Sequence, residues 1–290
     1  MISVSEVLAT IVTFHPGDEA EALCAALRAQ GCAVLVVDNA SADSEAILAG
    51  LGRAGAEVMR SPQNRGVAGA LAQALDVAAD RGYGWLLTFD QDSVIEAGFL
   101  DALLGCPATE QARTAIVAPR IHDRGTGTWI QGTADAATVL PVERVITSGA
   151  LGRVDALRAV GGFRRDLFID FVDWDVSARL RAEGWTISIA PGAVLSHAVG
   201  QATTHRFLGL SVVTTDHSPQ RLYYRYRNFV LLARQRRFRG QRSWFWQTTF
   251  ALVVAPAKIV LFEDRRWQKL RAIARGAVAG FRREPNPALE

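Results

Sequence analysis

The first 120 residues alternate short apolar runs with segments of helical periodicity, and this alternation limits the chain to few folds. Residues 7–13 and 33–37 are β-branched and apolar, and so are 57–59, 85–89 and 115–118 in shorter or aromatic-rich form. Between them, residues 18–30 place Ala22, Leu23, Ala26 and Leu27 at helical spacing. Further helices are expected from about residues 43, 66 and 96; in the second, Val67, Ala70, Leu71, Ala74, Leu75 and Ala78 share a face. Strands with no polar alternation must be covered on both sides. Right-handed crossovers then predict an α/β fold with a doubly wound, mostly parallel sheet.

Ligands in such sheets bind at the carboxyl ends of the strands. The expected ends are polar here: Thr13-Phe14-His15-Pro16, Asp38-Asn39, Gln63-Asn64-Arg65-Gly66 and Asp90-Gln91-Asp92. One polar end is unremarkable, whereas four on one rim define a candidate site. Asp90 and Asp92 are two apart, and on an extended strand both carboxylates point to one side. Two hard oxygen ligands suit Mg²⁺ or Mn²⁺, against the plainer reading of a solvated turn with Asp92 capping a helix. Asp38 and Asn39 suit a base or ribose, or are simply turn residues. Asn64-Arg65-Gly66 precedes a helix whose free N–H groups would attract phosphate, but it is not a P-loop.

Beyond residue 120 the pattern becomes irregular. Weak strands are expected at 125–132 and 136–142, small turns at Thr147-Ser148-Gly149-Ala150 and Gly161-Gly162-Phe163, and a helix over 172–183. A strand over 187–189, Pro191-Gly192 and a second strand over 194–197 follow. The stretch Phe168-Ile169-Asp170-Phe171-Val172-Asp173-Trp174-Asp175 gathers three carboxylates at a helix start among apolar neighbours. Acids there complement the helix dipole, and one beside buried surface can also take a proton from a hydroxyl. Asp173 and Asp175 lie about 200° apart around a helix, so at most one faces a site. His197, from its local sequence alone, is a core or loop histidine.

Charge separates the two ends of the chain. Residues 221–290 hold 16 Lys or Arg against 4 Asp or Glu, within a whole-chain net charge of +3. The remainder is therefore acidic, and the basic segment is expected to meet an anionic surface or ligand. Residues 244–262 are apolar and aromatic, but Gln247, Pro256 and Lys258 argue against a free span. They predict a helix lying on a membrane surface or packed on the catalytic domain. Residues 1–12 lack a basic leader and carry Glu6, so a cytoplasmic protein is expected. Cys24, Cys32 and Cys106 are too scattered for a disulfide framework or zinc site. No recognised module supports nucleic-acid binding.

The ordered set Val12-Thr13-Phe14-His15-Pro16, Val37-Asp38-Asn39-Ala40-Ser41, Asn64-Arg65-Gly66-Val67-Ala68-Gly69-Ala70 and Phe89-Asp90-Gln91-Asp92-Ser93 resembles the signatures of family 2 inverting glycosyltransferases of the GT-A fold. Ser148-Gly149-Ala150, Gly161-Gly162-Phe163 and the helix after Asp173 continue the match. The Asp-Gln-Asp-Ser form and the Phe-Ile-Asp-Phe-Val-Asp segment are most similar to bacterial dTDP-L-rhamnose-dependent rhamnosyltransferases, as are residues 221–228 and 276–282. Galactofuranosyltransferases using UDP-galactofuranose are near relatives.

The resemblance implies a GT-A catalytic domain over 1–217, with a nucleotide-sugar half to about 120 and an acceptor half after it, and a basic helical appendage over 218–290. It implies that Thr13, Phe14, His15, Asp38, Asn39, Asn64, Gly66, Asp90 and Gln91 bind the nucleotide sugar, that Asp90, Asp92 and His197 hold the divalent cation, and that Asp173 is the catalytic base. Ser148, Gly149, Asp170 and Trp174 would meet the acceptor, a glycan or lipid-linked saccharide of the cell surface such as O-antigen. Many members carry Glu-Asp before this helix, whereas Val172 precedes Asp173 here, with Asp170 three residues earlier. The Gln-x-x-Arg-Trp motif of processive synthases is missing, which predicts one or a few sugar additions. The rival readings are a nucleotidyltransferase, disfavoured by the non-basic loop after the first strand, and a catalytically silent nucleotide-sugar-binding membrane adaptor. Peripheral contact with the inner membrane through 221–290 is expected, and homo-oligomerisation is left open.

Overall fold

The computed structural model describes residues 2–197, 203–207, 210–235 and 242–282. The chain divides into two compact units: Met1–Phe168 with Val172–Ala198, and Ile169–Phe171 with Val199–Glu290.

The first unit opens with the predicted alternation: β1 (Val7–Thr13), α1 (Asp18–Ala29), β2 (Ala33–Asp38), α2 (Glu45–Arg53), β3 (Glu57–Arg60), α3 (Gly66–Asp80) and β4 (Trp85–Asp90). These four strands pair in parallel in the order β3-β2-β1-β4. Every residue of β1 is buried, as a strand covered on both faces requires. On one face, Val7, Ala9 and Ile11 join Val34, Val36, Trp85, Leu87 and Phe89 in a core closed by α1, α2 and α4 (Phe99–Leu104). The helix α3 packs against β1, β2 and β4. Cys24, Cys32 and Cys106 are buried and unbridged, and burial pushes the Cys32 thiol up to about 11.

After β4 the sheet departs from a simple parallel order. The short strand β5 (Val94–Ile95) precedes α4 and β6 (Thr114–Asp123), which begins where a strand was expected but runs longer. Small strands β7 (Trp129–Gln131) and β8 (Leu140–Pro141) fall within the two irregular stretches. β9 (Ala150–Arg153) begins inside the stretch expected to be only a turn. It lies antiparallel between β4 and β6, so β6 is not the neighbour of β4. α5 (Val154–Ala159), α6 (Val172–Ala182) and β10 (Thr186–His197) complete the unit. The two strand segments expected around Pro191-Gly192 are one strand, paired with β6 through a register shift between Ile189 and Val194. The irregularity lets proline sit in a strand without removing a ladder bond.

The second unit holds a hairpin absent from the sequence reading, β11 (Thr203–Phe207) with β12 (Leu210–Thr214), then α7 (Pro219–Arg234), α8 (Arg242–Phe262) and α9 (Arg266–Arg282). Ser218 caps α7 by accepting the Arg221 N–H, and Pro219 fills its first turn. Gly276 and Gly280 let α9 approach α7 closely: a Cβ at either would come within 2.2 and 2.3 Å of the carbonyl oxygens of Tyr223 and Arg227. Among the described residues, Trp244–Phe262 is the one helix long and apolar enough to cross a membrane, and only 11% of it is buried.

Candidate active site

The rim is built from the loops at the carboxyl ends of β1, β2 and β4. Asp38 is fully buried and is the hub: Oδ1 accepts from Thr13 Oγ1 (3.0 Å) and Ser41 Oγ, and Oδ2 from the Ser41 N–H (3.0 Å), with Arg60 Nε 3.9 Å away. Ser41 Oγ, for which the sequence pattern indicates no role, accepts the His15 N–H at 2.8 Å. The Phe14 N–H donates to Gln91 Oε1 at 2.8 Å, which joins the β1 end to the β4 end. Phe14 is exposed and packs edge-on against His15, whose φ of +51° places it in the left-handed region.

Asn39 is buried and bridges β2 to the start of α3: Nδ2 donates to the Gly66 carbonyl (3.2 Å) and Oδ1 accepts the Arg65 N–H (3.4 Å). Two of the amides expected to be free at that helix start are occupied. The Gly66 N–H is taken by Asn64 Oδ1 (2.8 Å) and the Ala68 N–H by the Phe168 carbonyl (3.0 Å). Glycine is required at 66, because φ is +66° and a Cβ would lie 2.3 Å from that same carbonyl oxygen.

Asp90 and Asp92 do not share an extended strand. β4 ends at Asp90, and Gln91 and Asp92 form a turn closed by the Ser93 N–H on the Asp90 carbonyl (3.2 Å). The two carboxylates are therefore set by a turn. Asp90, Gln91 and Asp92 are all half-buried. The Asp90 N–H donates to Ser148 Oγ (3.2 Å), which shares a 2.6 Å hydrogen bond with Ser93 Oγ. The neighbouring Gly149 has φ +77°, and its N–H donates to the Thr88 carbonyl at 2.6 Å. The sequence-distant Ser148-Gly149 turn is thus bound to the end of β4.

Asp173 reaches this end too. It stands in the first turn of α6, half-buried, and lines a cavity with Thr88, Thr147, Ala150 and Ser177. Its Oδ1 accepts the Trp174 N–H at 2.8 Å. Arg144, for which the sequence offered no local signal, is charge-coupled to it: burial lowers the Arg144 pKa, and the Asp173 carboxylate opposes that shift. Asp175 has a different role. It is fully buried, with Arg179 Nε at 2.7 Å and Arg164 Nη1 at 3.5 Å. Burial of Arg164 opposes its charge, but the Asp166 and Asp175 carboxylates leave its pKa raised. Trp174 is 2% exposed, so its ring is a core element rather than a face for an acceptor.

Asp170 belongs to the second unit, where it pairs with Arg221 (3.2 and 3.3 Å). Asn228 Nδ2 donates to the Ile169 and Asp170 carbonyls. Phe168, Asp170 and Phe171 all have φ near +60°, a conformation that costs about 1–3 kcal/mol per residue and persists only where neighbours enforce it. His197 ends β10 in register with Asp123, and its side chain lies outside the described residues.

Among the described residues, no three or more His, Cys, Asp or Glu side chains gather to cage a metal. The donor set at Asp90 and Asp92 nevertheless fits Mg²⁺ or Mn²⁺, which complete their shells with water and substrate phosphate oxygens.

A parallel-dominated sheet with polar strand ends, a turn-borne carboxylate pair and a helix-borne aspartate define a nucleotide-sugar transferase of the GT-A fold. The glycosyl transferase family 2 model matches residues 10–170, and the chain belongs to that family. It is therefore a glycosyltransferase. It is 29% identical over 254 residues to the dTDP-rhamnosyl transferase RfbF of Shigella flexneri, covering 80% of this chain and 81% of that one. Crystal structures of S. aureus TarS 1-349 share the fold at 14% identity: the complex with UDP-GlcNAc at TM-score 0.62, over 94% of this chain and 81% of that one, and the complex with UDP at 0.60, over 93% and 79%.

Proposed function

We propose that the chain transfers L-rhamnose from dTDP-L-rhamnose to a hydroxyl of a glycan or lipid-linked saccharide, with inversion at the anomeric carbon. The observation that carries this reading is the likeness to the Shigella flexneri rhamnosyl transferase, which spans four-fifths of both chains. In this reading Thr13, Asp38, Asn39, Asn64 and Gly66 frame the nucleotide pocket, and Phe14, His15 and Gln91 form its edge. Asp90 and Asp92, with His197, would hold a divalent cation at the edge of this pocket. The cation, when bound, supplies neutralisation of the charge on the departing nucleoside diphosphate. Asp173 takes the proton of the acceptor hydroxyl, and Ser148 and Gly149 position that hydroxyl. Asp173 is favoured over Asp175 because Asp175 is enclosed by two guanidiniums. The basic segment works at the cytoplasmic face of the inner membrane, supported by its 16 basic against 4 acidic residues.

Nucleotide release from a panel of dTDP-, UDP- and GDP-sugars tests the reading. Turnover is expected with dTDP-L-rhamnose and is lost in excess chelator. Preference for UDP-galactofuranose would replace the donor, and full activity in chelator would remove the metal role.

A further inference from the structure

In the second unit, α7, α8 and β12 border a cavity of about 320 Å³, at the small end of ligand-sized pockets. Leu222, Leu252, Val254 and Ile259 give it apolar walls. Phe250 and Val213 also line it and are 71% and 47% exposed, so its mouth opens at the surface. The exposed apolar residues Trp246, Phe250, Val253 and Val260 follow one another at four-, three- and seven-residue spacing along one face of α8.

Two cations line the same space. Arg225 Nη1 lies 3.0 Å from His217 Nε2, and Lys258 Nζ donates to the Val213 carbonyl at 3.1 Å. Both retain further donor hydrogens. Burial, with the Arg221 and Arg225 charges, brings the His217 pKa down to about 4, so its neutral ring serves Arg225 as an acceptor at neutral pH. The lining acid Glu263 accepts from Lys269 at 2.7 Å, and among the described residues neither Arg225 nor Lys258 stands in an ion pair.

A sugar or nucleotide would leave these walls unmatched, and a plain hydrocarbon would leave two cations idle. An amphiphile answers both. We infer that this cavity binds one hydrocarbon chain of a phosphate-bearing amphiphile, with the phosphate on Arg225 and Lys258. This deepens the membrane-facing reading of the basic segment, and it rests on that reading for the source of the amphiphile.

Calorimetry on the full chain with geranyl phosphate, geraniol and inorganic phosphate tests the inference. Saturable binding of geranyl phosphate is expected, with geraniol about tenfold weaker or more, the size of one lost charge-assisted contact, and no saturable binding of inorganic phosphate. Ala255→Phe, which fills the cavity, abolishes geranyl phosphate binding while the variant still floats with phosphatidylglycerol vesicles. Lys258→Gln removes the preference for geranyl phosphate over geraniol. Equal affinity for inorganic and geranyl phosphate overturns the inference, as does unchanged binding in a folded Ala255→Phe chain. If Ala255→Phe does not fold, an unchanged phosphate preference in Lys258→Gln overturns it. Geranyl phosphate binding without flotation removes the membrane reading and keeps the cavity, whereas flotation without binding does the reverse. Phosphatidylcholine vesicles doped to equal charge with phosphatidylglycerol or a polyisoprenyl phosphate distinguish bilayer lipid from lipid-linked acceptor as the source.

Discussion

Two aspartates two residues apart on α6 have opposite surroundings. Asp173 is half-buried beside the β4 end, whereas Asp175 is fully buried between Arg164 and Arg179. Their substitutions should therefore fail differently. Asp173→Asn is expected to lower kcat by about 10²- to 10⁴-fold, the usual contribution of a general base, with donor affinity and melting temperature preserved. Asp175→Ala leaves the buried Arg179 guanidinium without its carboxylate, while Arg164 keeps Asp166, and should cost about 3–5 kcal/mol of stability in denaturant unfolding. Retained turnover in Asp173→Asn would move the base elsewhere. The helical offset of about 200° showed that the two could not share a task; of the arginines at Asp175, Arg179 is one turn on along the same helix and Arg164 comes from outside it.

At the scale of elements, glycines at closely packed points carry specific weight. In the second unit, α9 rests on α7 through Gly276 and Gly280, whose missing side chains admit the α7 backbone. Gly276→Val should push α9 off α7, expose the 266–282 helix to limited proteolysis and lower the melting temperature. A rigid-body shift that leaves proteolysis unchanged would show that the close approach is dispensable. The α3 start follows similar logic. Gly66 adopts φ +66° against the Phe168 carbonyl, which ties the helix to the segment before α6. The periodic strands and helices were readable because each is long, apolar and locally consistent. β9 was not, because Ala150-Leu151-Gly152-Arg153 is four residues long with a central glycine and is held by its neighbours β4 and β6.

For the whole molecule, stability should carry a signature of the second unit. His217 has a folded pKa near 4 against an ordinary 6.5, lowered by burial first and then by Arg221, Arg225 and Lys269, with Asp170 opposing. The unfolded chain therefore binds the extra proton first as pH falls. The stabilising difference is present above about 6.5 and is lost towards 4. His217→Asn should flatten the decline in unfolding free energy between pH 6.5 and 4 relative to the parent chain. Equal slopes would show that His217 titrates normally.

The sequence by itself determined the covered parallel strands, the polar rim at their ends, the family signatures and the division of charge. Each is a matter of residue order and local periodicity. It also marked Asp90, Asp92 and Asp173 as the carboxylates to watch. Only the tertiary structure decided that the ends of β1 and β4 are joined through Phe14 and Gln91, that the Ala68 amide of α3 is spent on the Phe168 carbonyl, and that Arg164 joins Arg179 at Asp175. It alone revealed the cavity bordered by α7, α8 and β12 in the second unit. The physical reason is the same in each case. A hydrogen bond or ion pair between distant residues depends on where packing brings them, and no local pattern records that meeting.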